Sequence, residues 1–254
     1  MEHLETMKGL LNGQTEYILF YACAVLIGMS KTGIQGIGTL SVPILAFLFG
    51  AKTSTGVLLP ILCLADLMAV VYYRREFRIG NIVSLLPWTV AGLGLALIVG
   101  NHIPSSGFRI LMAVCIFLGL VVLFWSERKT NIESVTSSKF YAPFFGLMVG
   151  FSTMIGNAAG PIVTVYLLSM RLPKIAFVST GAWFVMIVNM LKMPLQIWVW
   201  DNLDIPTLLL GLSTIPFLAI GAVVGIKLVR IIPEKQFRQV MIVLTVVATL
   251  MLLY

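Results

Sequence analysis

Two stretches rich in glycine and small polar residues interrupt long apolar runs, and they limit the fold more than any other feature. The later one is Gly150-Phe151-Ser152-Thr153-Met154-Ile155-Gly156-Asn157-Ala158-Ala159-Gly160-Pro161. Gly156 and Gly160 weaken a helix, while Pro161 suits the start of a new one. The pattern predicts a helix ending near Ile155, a few open residues, and a second helix starting at Pro161. The earlier stretch, Gly28-Met29-Ser30-Lys31-Thr32-Gly33-Ile34-Gln35-Gly36-Ile37-Gly38, has the same character and holds a lysine. Backbone opened at membrane depth must line a cavity or be buried in protein. The plain reading is a packing kink. The functional one is a helix N-terminus that binds an anion.

Composition decides the solvent. Of 254 residues, 59% are hydrophobic and 11% charged, which is the balance of a polytopic membrane protein. The formal net charge of +7 does not indicate nucleic acid, because the basic residues sit mostly in short connections, where they set orientation. No cationic start precedes the first apolar run, so no cleaved signal peptide is expected. Cys23, Cys63 and Cys115 fall in apolar runs without metal-ligand spacing. They are expected to pack, with no disulfide, metal or cofactor.

Residues 14–50 form an apolar region interrupted at 28–38. Each arm is short of the roughly 20 residues that a full span needs. The pair is either a re-entrant hairpin or two short tilted helices. Residues 54–73 form a full span containing Pro60 and Asp66, closed by the basic loop 74–78. Spans follow at 82–100 and 107–126. The polar stretch 127–139 reads as a linker. The plan then returns: an interrupted pair at 140–170, spans at 175–198 and 207–226, and a last span at 237–254.

Residue identities support the recurrence. Gly28, Ser30, Gly38, Leu45 and Lys52 fall on Gly150, Ser152, Gly160, Leu167 and Lys174 at a shift of 122. Pro87, Gly92, Ile103, Pro104, Phe108, Arg109 and Met112 fall on Pro216, Gly221, Ile232, Pro233, Phe237, Arg238 and Met241 at a shift of 129. The charges of matching loops differ. Basic 74–78 corresponds to acidic 201–204, and uncharged 101–106 to basic 227–238. Lysine and arginine mark the cytoplasmic side, so matching loops are expected on opposite sides and the halves are inverted copies. The expected fold is an all-α polytopic membrane protein of two inverted repeats, 1–126 and 140–254, joined by a cytoplasmic linker at 127–139. Each repeat holds an interrupted or re-entrant helix pair plus three transmembrane helices. Both termini then lie outside, with Lys52 as the one charge against the scheme. Inverted repeats with broken helices are a common plan of secondary transporters.

The candidate anion ligands lie at the breaks, since a helix N-terminus presents free N–H groups and partial positive charge. The first half offers Ser30, Lys31, Thr32, Gln35, Gly36, Gly38 and Thr39. The second offers Ser152, Thr153, Asn157, Ala158 and Gly160. For each hydroxyl or amide, local capping is the competing role. A lysine at membrane depth is costly and tends to be functional, so Lys31 is an anion ligand or snorkels to an interface. Asp66 lies about 18 Å into its predicted span by helical rise, where it pairs with Lys31 or carries a proton. Asn189 falls at nearly the corresponding level of the second half. Lys192, one turn on, is a ligand or an anchor at the outer interface. Thr180 and Trp183 are candidate lining residues, and Trp198 and Trp200 read as an outer aromatic belt.

These residues resemble the sulfite exporter TauE/SafE family of four-plus-four-helix anion transporters. The resemblance rests on Gly28-Met-Ser-Lys31-Thr-Gly33, the run to Val42-Pro43, and Leu59-Pro60 with Asp66. In the second half it rests on Gly156-Asn-Ala-Ala-Gly160-Pro161, Tyr166-Leu-Leu, Lys174, Phe177, Thr180, and Asn189 with Lys192-Met-Pro194. The glycine run usual in many members is thin here, with two glycines in Gly36-Ile37-Gly38-Thr39. The resemblance implies export of sulfite or related sulfur anions, organosulfonates among them, across the bacterial inner membrane.

The expected function is therefore a secondary transporter of a small sulfur oxyanion, sulfite preferred, with alternating access and with Asp66 as the candidate for proton coupling should there be any. Its partners are the anion and the lipid bilayer, with a homodimer guessed from how such folds bury a flat face. An anion channel fits the same residues. An intramembrane enzyme does not, since the only histidines are His3 and His102 and no His-Glu-x-x-His occurs.

Overall fold

The computed structural model describes residues 11, 13–33, 37–74, 77–104, 106–107, 110–111, 114, 140–157, 159–233, 236, 239 and 243. The predicted spans 107–126 and 237–254 and the linker 127–139 lie almost wholly outside these residues. The described residues are helical, with no strand among them.

The first half runs α1 (Gln14–Thr32), a 3-10 turn (Ile37–Leu40), α2 (Ser41–Phe49), α3 (Ala51–Tyr73), α4 (Ile79–Val83) and α5 (Leu86–His102). The second runs α6 (Tyr141–Gly156), α7 (Ala159–Ser169), α8 (Lys174–Trp198), α9 (Ile205–Ser213) and α10 (Ile215–Ile231). α5 and α10 each hold 17 residues, and each carries a proline at its second position, Pro87 and Pro216. Proline fits there because a first-turn N–H has no intrahelical partner to lose. α3 and α8 are long and apolar enough to cross a membrane. α9 and α10 together reach that length with a 46° bend between them.

The breaks differ from the sequence expectation in place and size. The first lies after Thr32, so Gly28 and Ser30 are helical. Gly28 does not break α1 because it serves a close approach. A Cβ there would run into the backbone of Leu218 and Ala222 on α10. Gly221 on α10 faces the backbone of Val25 and Met29 in the same way. Gly150 on α6 and Gly92 on α5 repeat the arrangement, against Thr89 and Leu93 in one direction and Leu147 and Phe151 in the other. Small residues that let helix backbones touch are how apolar helices associate where the hydrophobic drive is weak. Thus α1 packs on α10, and α5 packs on α6.

The second break is only two residues wide. α6 continues to Gly156, and α7 begins at Ala159 rather than Pro161. Asn157 turns at φ 51, with its N–H bonded to the Thr153 carbonyl at 2.9 Å. Asparagine visits this left-handed region more readily than most residues. Pro161 then sits in the first turn of α7, not at its first position.

Lys52, the charge against the topology, is held at the acidic loop. Asn202 Nδ2 donates to the Lys52 carbonyl at 3.2 Å, and the ammonium lies 5.5 Å from the Trp200 ring. The Trp pair divides: Trp198 is 81% exposed, but Trp200 is buried. Trp200 therefore does not stand in a surface belt, because the turn after α8 folds it inward.

Candidate functional site

α3 and α8 cross at two matched residues. Asp66 is the sixteenth residue of α3 and Asn189 the sixteenth of α8. Asn189 Nδ2 donates to Asp66 Oδ2 at 2.7 Å. The other carboxylate oxygen, Oδ1, takes the Lys31 ammonium at 2.7 Å, which settles the pairing of these two residues. Asp66 is fully buried and the Lys31 side chain is 17% exposed. An ionised carboxylate in such a place persists only with a partner charge and hydrogen bonds.

Lys192 continues the network. Its side chain is 0% exposed, so it is not an interface anchor. The reason is helical phase: it shares a face of α8 with Asn189 and Gln196, and that face looks inward. Its ammonium donates to Thr153 Oγ1 at 3.2 Å, to Asn157 Oδ1, and more loosely to Asn189 Oδ1 at 3.5 Å. These three acceptors match the three donors of an ammonium. Asn157 in turn donates through Nδ2 to the Thr55 carbonyl at 3.1 Å. Its strained backbone is thus fixed from both sides, by its own helix and by α3.

Two small cavities lie along this network. One, of about 60 Å³, is lined by Ser30, Lys31, Gly38, Thr153, Asn157 and Gly160, among others. Its neighbour, of about 50 Å³, reaches Ser30, Lys31, Asp66, Gly160 and Gly181. Ser30, Lys31, Gly160 and Val185 line both. A Cβ built on Gly160 meets nothing within 4 Å, so open space reaches the α7 backbone in its first turn. A first-turn helix backbone carries N–H groups without intrahelical partners. Since one water needs about 10–15 Å³ of such space, each cavity holds roughly four water-sized groups. That suits a compact anion and excludes a bulky one.

The family model for the sulfite exporter TauE/SafE matches residues 20–252. The chain belongs to the TauE/SafE sulfite exporter family. It is accordingly a membrane-embedded, multi-pass protein of a family of anion exporters. No curated protein and no solved structure matches the chain.

In this TauE/SafE member the sequence-predicted ligands fall into three groups. Ser30, Lys31, Gly38, Thr153, Asn157, Gly160, Asn189 and Lys192 gather with Asp66 around the two cavities or on their polar network. Thr32 and Ser152 do not. The Thr32 hydroxyl is bonded to the carbonyls of Gly28 at 3.0 Å and Ala222 at 2.9 Å, tying α1 to α10. The Ser152 hydroxyl turns back to the Val149 carbonyl at 3.4 Å. Gln35, Gly36 and Ala158 lie outside the described residues, as does the side chain of Thr39.

Thr180 is buried, and its hydroxyl caps the chain at Arg78 by accepting that N–H at 3.0 Å. Trp183 packs on Phe77, their ring centres 5.2 Å apart. Neither lines the two cavities. Sequence reasoning missed Thr55 and Gln196. Gln196 Nε2 donates to Thr55 Oγ1 at 3.2 Å, while Gln196 Oε1 is buried without a hydrogen-bond partner. The signal was present in Asn189, Lys192 and Gln196, spaced three and four apart on one helix face.

Proposed function

We propose that this chain is a secondary transporter that exports a small sulfur oxyanion, sulfite by preference, across a bacterial inner membrane. The observation that carries the reading is that Lys31 and Asn157 border a cavity of about 60 Å³, that Lys31 also borders its neighbour of about 50 Å³, and that Lys192 stands behind the wall, bonded to Asn157. Ammonium groups, amides and hydroxyls supply donors for several oxygens in a space too small for an organic cofactor. The anion binds between the break after Thr32 and the break at Asn157, beside the first turn of α7.

The transporter works by alternating access between two inverted halves, 1–126 and 140–254, joined by a cytoplasmic linker at 127–139. Three observations support that arrangement. α5 and α10 match in length and proline position, the glycine contacts of α1 with α10 recur in α6 with α5, and Asp66 meets Asn189 at the same helical position. In this arrangement the loop after α3 is cytoplasmic, the acidic loop after α8 is external, and both termini are external. Asp66, held by Lys31, is the proton-coupling residue.

The test is thermal stabilisation of the purified protein by sulfite, sulfate, thiosulfate and a short organosulfonate, with Lys31→Ala alongside. Selective stabilisation by sulfite that disappears in the variant supports the reading. Stabilisation by sulfite that survives unchanged in Lys31→Ala contradicts the site, and no response to any sulfur anion contradicts the substrate class.

A further inference from the structure

The charges of the buried network do not cancel. With both lysines protonated and the carboxylate ionised, Lys31 and Lys192 bring two positive charges and Asp66 one negative. Lys31 is paired with Asp66, while among the described residues Lys192 reaches only the neutral oxygens of Thr153, Asn157 and Asn189. Among the described residues the surroundings of Asp66 add nothing to offset this, since Glu16, the acidic residue of α1, lies in its first turn, about four turns from Lys31. α1 contributes Lys31 and α8 contributes Asn189 and Lys192, and Cys63 lies one turn back on α3 itself. α2, α6 and α9 carry no charged residue. On α10, Lys227 is exposed and Arg230 is engaged near the far end of α3, where it bonds the Tyr72 hydroxyl. The Tyr73 hydroxyl donates to the Thr32 carbonyl at 2.8 Å. An unbalanced charge inside a membrane protein costs several kcal/mol, so the site is short of one negative charge.

Building on the reading of these residues as the anion site, we propose that Asp66 is a resident counter-ion that sets the valence of the bound anion. With its carboxylate ionised, the site balances a single negative charge. A doubly charged anion enters only together with one further proton, which adds to the Asp66 carboxylate. That proton breaks the ion pair at Oδ1 and releases Lys31 to the dianion, with the Lys192 charge behind the cavity wall on Asn157. For sulfite, bisulfite with ionised Asp66 and sulfite dianion with neutral Asp66 have the same composition. The protein then moves one proton with each sulfite whichever form it meets.

Methanesulfonate and sulfate are monoanion and dianion throughout the neutral pH range, and they separate this proposal from its alternatives. Both are titrated calorimetrically into the full-length protein in detergent, in buffers of different protonation enthalpy, so that bound protons are counted. Sulfate takes up one more proton per anion than methanesulfonate. Its affinity relative to methanesulfonate therefore rises about tenfold for each unit that pH falls. Asp66→Asn shifts selectivity toward sulfate by at least about tenfold at neutral pH, the equivalent of one charge-assisted hydrogen bond. The proton count on the unaltered protein decides the matter even if that variant fails to fold. Equal proton uptake for the two anions overturns the proposal and leaves the anion site standing. Failure of both to bind overturns the proposal too, and if sulfite also fails to bind, the anion-site reading falls with it.

Discussion

Replacing Lys192 by methionine separates binding from folding, because the two respond differently to its loss. Methionine keeps the length and bulk of the side chain and removes the charge. In the structure the ammonium holds Thr153 Oγ1, Asn157 Oδ1 and Asn189 Oδ1. The threonine hydroxyl rotates to another partner, which leaves two amide oxygens without a donor. Each costs about 1–3 kcal/mol. Against that, an unpaired buried charge is removed, which is worth several kcal/mol in the opposite sense. The net change in stability is therefore small, within about 2 kcal/mol either way. Anion affinity has no such compensation. Lys192 acts on the anion through its charge, from behind Asn157, and a loss of about 1.4 kcal/mol of that attraction weakens sulfite binding about tenfold. The assay is calorimetric titration of sulfite into both proteins, with thermal unfolding of each recorded without ligand. Unchanged sulfite affinity in a folded Lys192→Met protein refutes the assignment of Lys192 to the anion.

Three other perturbations test parts of the structure that the site depends on. Gly150→Ala pushes a Cβ into the Thr89 carbonyl and costs about 1–3 kcal/mol or more of stability, seen as a lowered unfolding temperature. Gly94→Ala, whose Cβ meets nothing within 4 Å, leaves that temperature unchanged or higher; equal losses in the two variants count against the close α5–α6 packing. Asn157→Ala and Asn157→Gly both lose sulfite binding and the side-chain bonds to Thr55 and Lys192, but alanine is about 1–2 kcal/mol less stable than glycine, because glycine accepts φ 51 without strain. Equal stability of the two would show that the left-handed turn is not held by the fold. In a background without native cysteines, a membrane-impermeant thiol reagent applied from outside labels Asp201→Cys and not Arg74→Cys, and the reverse pattern contradicts the inverted topology.

The sequence carried the positions of the helices better than the roles of their polar residues. Proline and glycine are read from sequence through geometry they share in every protein. Pro87 and Pro216 mark the starts of α5 and α10 for that reason. Glycine is ambiguous, though, since it serves equally as a helix breaker or a contact point. Gly28 and Gly150 read as parts of breaks and are instead where α1 and α6 touch their neighbours. The narrow turn at Asn157 was hidden because a residue in the left-handed region turns the chain without a long open stretch.

Charge in an apolar run was the clearest pointer to the buried polar network. Lys31 and Asp66 stood out in the sequence, and they meet at 2.7 Å. Lys192 was ambiguous because it lies near the end of α8, and distance from a helix end does not say which face a side chain takes. Hydroxyls were the least legible. Ser30 and Thr153 border the cavity, whereas Thr32 and Ser152, their near neighbours in sequence, satisfy backbone carbonyls. Which role a hydroxyl takes depends on the helix packed against it, and that is long-range information. Thr55 and Gln196 were missed for the same cause: each gains meaning only from the other, across the α3–α8 crossing.

The most direct test of the central claim is to see the anion. Selenite is the heavier congener of sulfite, and its selenium scatters anomalously. Crystals of the full-length protein grown with saturating selenite are predicted to show one strong anomalous peak in the cavity bordered by Lys31, Asn157 and Gly160. A peak elsewhere, with that cavity empty at saturation, would contradict the account.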